Sequence, residues 1–294
     1  MRTREEIEKE IEHITYARAM LDGRFDAVKE ELDAFLKAEA DRLSADPLVK
    51  EKTFRPLLEF FRLHGYIVHE CHTGARTKDL YKLARQIWES KEVLCPFIRE
   101  LAASKEEIFR YGGESINPLA LTHLKNLCEN LLMLNWLTYQ VDKNKSFDIK
   151  PNPKVFNRNF LQGGWAEEAT IYLIDKTLKA LSARRPVKHR LFWDVRLNSL
   201  HAVHGKTVHM QLDLVAQVED NFYIFETKAG NVLAIDKWVD RTRLFGSEIS
   251  RFITCTTNEH IHPMLFAPYR LFNLPTLVKH FTTMLERDLQ ISHI

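Results

Sequence analysis

Apolar positions recur at helical spacing through roughly the first 135 residues and then change to the alternation expected of strands. Ile7, Ile11, Ile14 and Leu21 form one stripe over residues 3–21. Phe25, Val28, Leu32 and Phe35 form another over 25–43, with the turn LDGRF between them. This predicts a helical hairpin or short coiled coil over 1–45, with Glu- and Lys-rich outer faces suited to packing or dimerisation. Further helices are predicted over 47–63, 77–89, 92–103 and 118–134, with GYIVHEC as a short strand. After Leu134, NWLTYQV and SFDIKP alternate as strands around the polar turn DKNK. Helices followed by such a hairpin outline a winged-helix module near 115–150, within a helical region spanning 46–150.

The segment KPNPKVFNRNF (150–160) breaks any helix and marks a domain boundary. Beyond it the pattern predicts a helix over 165–182, a strand at LFWDVRL, strands near 208–218 and 222–228, a helix near 234–245, a strand near 250–256 and a helix near 275–288. The order describes an α+β or α/β domain over 151–294, with a central mixed sheet flanked by helices.

Composition changes this picture little. The 294 residues are 45% hydrophobic and 28% charged, which places the chain among ordinary globular proteins. No run of 18 apolar residues occurs and the N-terminus is charged, so neither a membrane span nor a secretory signal is expected, and the location is predicted to be cytoplasmic. Cys71, Cys95, Cys128 and Cys255 are dispersed, which predicts neither a zinc knuckle nor a disulfide framework. His201, His204 and His209 form the densest histidine cluster; a His-rich strand edge is the plainer reading than a transition-metal site. The formal net charge of +2 hides a gradient: residues 1–45 hold 8 basic and 12 acidic side chains, whereas residues 151–294 hold 18 and 14. The basic excess therefore lies in the sheet-bearing part, as a polyanion-binding domain would need.

That part also carries charges where a sheet core is expected. Along NFYIFETK, Phe222, Ile224, Glu226 and Lys228 share one face, and Tyr223, Phe225 and Thr227 share the other. On the preceding strand Gln211, Asp213 and Val215 share a face. A two-residue turn would set Asp213 across from Glu226 or Lys228. A plain three-residue turn would set it across from Thr227, on the wrong face, unless a bulge corrected the count. Burying these charges costs several kcal/mol unless they are paired or used, on the order of 1–3 kcal/mol or more per group. A structural Glu226–Lys228 salt bridge is one use. Hard oxygen ligands for Mg²⁺ or Mn²⁺, with a lysine to orient water or stabilise charge on phosphorus, are another. On the helix at WAEEATIYLIDKTLKAL, Glu167 heads the buried stripe Ile171, Ile174, Leu178 and Leu181, whereas Glu168 aligns with Tyr172, Asp175 and Lys179 on a solvent face. A third acid is thereby aimed at the same place. Asp236, Lys237, Arg241 and Arg243 follow on a helix, where Arg241 or Arg243 could touch phosphate and a solvated face is the plainer reading. Trp165 could pack in the core or stack on a base.

Glu167, Asp213, twelve intervening residues and then Glu226-Thr227-Lys228 resemble the PD-(D/E)XK nuclease superfamily in its E…D…ExK form. The framing GGWAEE…QLDLVA…YIFETKAG is similar to the restriction-endonuclease-like domain of CRISPR-associated nucleases activated by ring nucleotides, in which a winged helix precedes a GGW-x-E helix. The resemblance covers 155–255 well and 115–150 loosely. It implies a Mg²⁺- or Mn²⁺-dependent endonuclease acting on DNA ahead of RNA, in defence against foreign nucleic acid. By the same resemblance Asp213, Glu226 and the Thr227 backbone carbonyl are metal ligands, Lys228 is the catalytic lysine, and Glu167 is an accessory acid and further ligand. The family's cyclic-oligoadenylate sensor domain has no counterpart in residues 1–110, which lack its β–α alternation, and its usual ECK is here ETK. Expected partners are nucleic acid and a second copy of the chain, joined through the N-terminal helices or the winged-helix region. The rival expectation is a nucleic-acid-binding or assembly protein that keeps the fold without the activity.

Overall fold

A computed structural model describes residues 54–73, 78–200, 207–229, 235–247, 249–260 and 270–291. The helices expected over 3–21 and 25–43, and His201 and His204, lie outside the described residues. The chain divides into two compact units, 1–63 and 64–294. In the first, helix α1 (Arg55–Leu63) buries Leu57, Phe60 and Phe61 along one stripe and carries an Arg55–Glu59 ion pair at 2.8 Å.

The second unit opens with strand β1 (Tyr66–Thr73), followed by helices α2 (Lys78–Glu89) and α3 (Lys91–Ala103), strand β2 (Phe109–Gly112) and helix α4 (Pro118–Met133). Asn117 caps α4, its side chain accepting from the Ala120 amide at 2.8 Å, and Pro118 fills a first-turn position that needs no N–H. Asn135 takes a left-handed φ of 59° just past the helix end, which turns the chain into strand β3 (Leu137–Val141). The turn DKNK is held by Asp142, whose carboxylate accepts from the Asn144 and Ser146 amides at 2.8 and 2.9 Å; strand β4 (Ser146–Pro151) follows. The three strands form an antiparallel sheet in the order β2-β4-β3. Helix, helix, strand, helix and hairpin follow one another in this order.

A π-helical turn (Phe160–Gly164) leads into α5 (Trp165–Arg184), then strands β5 (His189–Ser199), β6 (His209–Val218) and β7 (Asn221–Lys228), helix α6 (Ile235–Phe245), strands β8 (Ser250–Thr256) and β9 (Leu271–Asn273), and helix α7 (Leu274–Ile291). They build a six-stranded sheet ordered β1-β5-β6-β7-β8-β9. Pairing is antiparallel from β1 to β7 and parallel from β7 to β9. Helix α6 supplies the crossover that a parallel β7–β8 pair requires. Tyr223 and Phe225 meet Phe281 of α7 edge-on at 5.4 and 5.3 Å, and Thr227 bonds Thr170 of α5. Helices α5 and α7 thus cover one face of β7, leaving the face of Glu226 to α6.

The fold is α+β, as the pattern predicts, but its parts are divided differently. Strand β1, expected in the helical region, pairs with β5 at the edge of the main sheet. One hydrophobic core runs from Leu83 and Phe97 through Leu127, Phe147, Phe160 and Trp165 to Phe225 and Leu285. The boundary expected at 151 therefore lies inside the compact unit 64–294. Strands β2 and β9, of four and three residues, are too short to show a period and were not expected.

Candidate active site

The site begins with the β6–β7 hairpin. Val218 pairs with Asn221, closing a two-residue turn in which Glu219 adopts a φ of 50°. The register continues to Leu214↔Phe225, and one further step sets Asp213 opposite Glu226 on the same face. There the two backbones part. The Thr227 amide, aimed at β6, donates instead to the Asp213 carboxylate at 2.6 Å. In an antiparallel pair a residue's N–H and C=O point to the same side, so the Thr227 carbonyl faces this opening too. The Thr227 hydroxyl donates to that of Thr170, which in turn donates to the Ala166 carbonyl, tying the end of β7 to the first turns of α5.

Glu226 is 9% exposed and engages two cations. The Lys228 ammonium lies 2.5 Å from one of its oxygens, and the Arg241 guanidinium of α6 bonds the other. Asp213 is half-buried and pushed up to about 7, by burial first, then by the charges of Glu226 and Glu167; the Thr227 amide and Lys228 act in the opposite direction. Glu167, half-buried in the first turn of α5, is thus close enough to act on Asp213. The three carboxylates nonetheless stand apart. Among the described residues, the group of three ligand-type side chains whose atoms all lie within 4.8 Å of one another is Glu70, His72 and Asp194. Arg196 bridges that group, 2.9 Å from Glu70 and 3.0 Å from Asp194, and Gln211 donates to Asp194 at 2.8 Å.

Two sequence expectations need correction. Glu168 is 6% exposed and not on a solvent face. The first turns of α5 bury Trp165, Ala166, Glu168, Ala169, Thr170 and Ile171, an arc too wide for a single apolar stripe to mark. Arg241, whose plainer reading was a solvated face, turns inward onto Glu226, while Arg243 is exposed as expected. A helix-face pattern carries no signal for an ion pair across fifteen residues. The side chains of Asp236 and Lys237 lie outside the described residues. Trp165 is buried in the core. His209 stands at the surface, 2.7 Å from Asn198.

Beside the carboxyl ends of β7 and β8 lies a cavity of about 500 Å³, lined by Lys91, Arg99, Gln162, Trp165, Ala229 and His260 among others. Crevices at such strand ends are where open α/β sheets place ligands. Lys91 is held there by Glu259 at 2.8 Å and by the Thr257 carbonyl.

No family model and no curated protein matches the chain. Among solved structures it is similar to protein VC1899 from Vibrio cholerae, with a TM-score of 0.48 and 16% identity over 79% of this chain and 60% of that one. It is also similar to Can2 from Sulfobacillus thermosulfidooxidans, solved in complex with cyclic tetra-adenylate, with a TM-score of 0.47 and 16% identity over 76% of this chain and 58% of that one. The chain thus spans about three-fifths of the length of either structure. Both likenesses are remote.

Proposed function

We propose that the protein is a divalent-metal-dependent nuclease, hydrolysing phosphodiester bonds of DNA ahead of RNA. The observation that carries this reading is the opening between β6 and β7. Asp213, Glu226 and the Thr227 carbonyl face it, and Glu167 acts on Asp213 from the start of α5. Hard oxygen donors of this kind suit Mg²⁺ or Mn²⁺. A cation held by Asp213 and Glu226, with Glu167 and the Thr227 carbonyl completing the set, would polarise a phosphate oxygen and acidify a bound water. Lys228 belongs to the chemistry rather than to the core. Its side chain is 41% exposed, so its ammonium can reach from Glu226 to a phosphate oxygen or an attacking water. A role in defence against foreign nucleic acid follows only from the sequence resemblance and is proposed with it.

The test is cleavage of single- and double-stranded DNA and RNA with Mg²⁺, Mn²⁺ or EDTA. Cleavage should need the metal, and Glu226→Ala, Asp213→Ala and Lys228→Ala should each abolish it. Metal-dependent cleavage that survives Glu226→Ala would place the active site elsewhere. One observation favours the rival reading of a binding protein without activity: Lys228 and Arg241 already occupy both oxygens of Glu226. Salt-dependent binding that is indifferent to EDTA, with no cleavage of any substrate, would establish that reading instead.

A further inference from the structure

The cavity of about 500 Å³ begins where the candidate active site ends. Ala229, which lines it, follows Lys228 directly, one Cα step of about 3.8 Å along the chain. The Thr257 amide donates to the Lys228 carbonyl at 3.2 Å, and the Thr257 carbonyl accepts from the Lys91 ammonium at 3.3 Å. The end of β7 is thereby tied to the first turn of α3. The π-helical turn closes in from another side: a Cβ on Gly163 would stand 3.7 Å from that of Ala229, so the turn passes close beside the same residue.

Its volume falls within the ~300–1,000 Å³ usual for small-molecule sites. A hollow of that size takes one unstacked base with its sugar. In a duplex the bases are stacked and paired, and none can enter without being flipped out. Ile98, Leu161 and Trp165 supply apolar surface against which a flat base can lie, and the side-chain amides of Gln162 and Asn258 each offer a donor and an acceptor to its edge. The charges around the hollow are balanced in number: Lys91 and Arg99 against Glu92 and Glu259, besides His260, with Lys91 held by Glu259 at 2.8 Å. Such a lining suits an uncharged base better than a phosphate. Arg99 lies one turn of α3 beyond Cys95 and is exposed at the rim.

We propose that this hollow takes the unpaired base next to the scissile phosphate, so that the substrate is a single strand. One phosphate meets Lys228, the adjoining base enters beside Ala229 against Leu161 and Trp165 with Gln162 on its edge, and the next phosphate leaves past Arg99. This placement rests on the proposed meeting of a phosphodiester with the β6–β7 opening, and adds that the neighbour of that bond must be unpaired. A duplex fits only after flipping a base out, which costs it affinity.

The test uses the full chain in EDTA, so that binding is read without cleavage. Cys95 lines the hollow and is half-buried, whereas Cys71, Cys128 and Cys255 are buried, so its alkylation by iodoacetamide reports occupancy. Alkylation is followed by peptide mass spectrometry at alkaline pH, because burial pushes the Cys95 thiol up. A single-stranded DNA oligonucleotide at about ten times its Kd should slow it by about tenfold. A blunt duplex of the same sequence should bind at least about tenfold more weakly, the cost of flipping out one base. Gln162→Ala should weaken strand binding by about threefold to tenfold, as loss of hydrogen bonds to the base implies. Arg99→Gln should lower the slope of log K against log salt by about 0.7. Gln162 and Arg99 are both exposed, so neither variant threatens the fold. Equal binding of strand and duplex, Cys95 alkylation unaffected by the strand, or strand binding unchanged in both variants overturns the placement. So does protection by dAMP equal to that by the strand at the same concentration, which would assign the hollow to a free nucleotide. Protection by the strand with no cleavage in Mg²⁺ or Mn²⁺ would overturn the nuclease reading alone; cleavage without protection would overturn the placement alone.

Discussion

Replacing Asp213 by Asn should stabilise the metal-free protein, and by more as the pH rises. Asn keeps the shape of the side chain and an oxygen for the Thr227 amide, so the 2.6 Å hydrogen bond survives while the charge is lost. In the fold, Asp213 is raised from its ordinary 3.8 to about 7, because burial, Glu226 and Glu167 all oppose its ionisation. The sign follows from proton uptake: between those two values the folded chain holds a proton that the unfolded chain has released. The contribution of Asp213 to wild-type stability therefore falls with rising pH, by ~1.4 kcal/mol per unit and about 4 kcal/mol at most, with the loss complete somewhat above pH 7. The neutral variant escapes this loss. The assay is urea unfolding in EDTA at intervals from about pH 5 to about pH 8, for wild type and Asp213→Asn. The difference between the two should widen through that range and level off above about pH 7, and the titrating groups that do not act on Asp213 cancel from it. Added Mn²⁺ should then stabilise wild type more at the alkaline end than at the acid end, and the variant little at either. A difference that stays flat with pH would show that Asp213 is ordinarily ionised and that the three acids do not share one space.

Glu167→Gln should lower the pH at which that difference levels off, since it removes a like charge from Asp213, whereas Glu168→Gln should leave the midpoint in place; equal effects would mean the facing residue has been misassigned. Arg241→Gln should tighten Mn²⁺ binding, read as metal-induced thermal stabilisation, by on the order of tenfold, because a guanidinium on Glu226 competes with the cation; weaker binding would make Arg241 a support of the metal site and not a competitor. Phe281→Ala should cost about 3–5 kcal/mol in unfolding free energy, since this fully buried ring meets both Tyr223 and Phe225 beneath the site; a loss below about 1 kcal/mol would show that α7 does not clamp β7.

The core of the candidate site was legible because strand geometry is local. Alternation alone puts Glu226 and Lys228 on one face, and the turn length decides whether Asp213 joins them. The sequence left two turn lengths open, and Val218↔Asn221 closes the shorter one. What could not be read depends on contacts between distant segments. Strand β1 pairs with β5 more than a hundred residues later, and nothing in YIVHECHT distinguishes that edge from a strand in a helical domain. Glu168 is buried because α5 is covered on several sides at its start, so a one-stripe helix wheel assigned it to solvent. The Arg251–Asp288 pair draws one member each from β8 and α7. Its charges become neighbours only once the parallel strands and the last helix are in place.

The charge states of the two acid clusters explain their different spacing. Glu70 and Asp194 sit close together because Arg196 bonds both, so no cation is needed to hold them. Among the described residues the cations at the β6–β7 opening sit on one side: Lys228 and Arg241 both bond Glu226, whereas the Asp213 carboxylate accepts the Thr227 amide. Asp213 therefore meets the repulsion of Glu226 and Glu167 by holding a proton up to about pH 7, and the acids keep their distance. Filling this opening with a divalent ion requires that proton to leave and the grip of Arg241 or Lys228 on Glu226 to loosen. Metal uptake near neutral pH should accordingly release about one proton per ion and tighten as the pH rises to about 7.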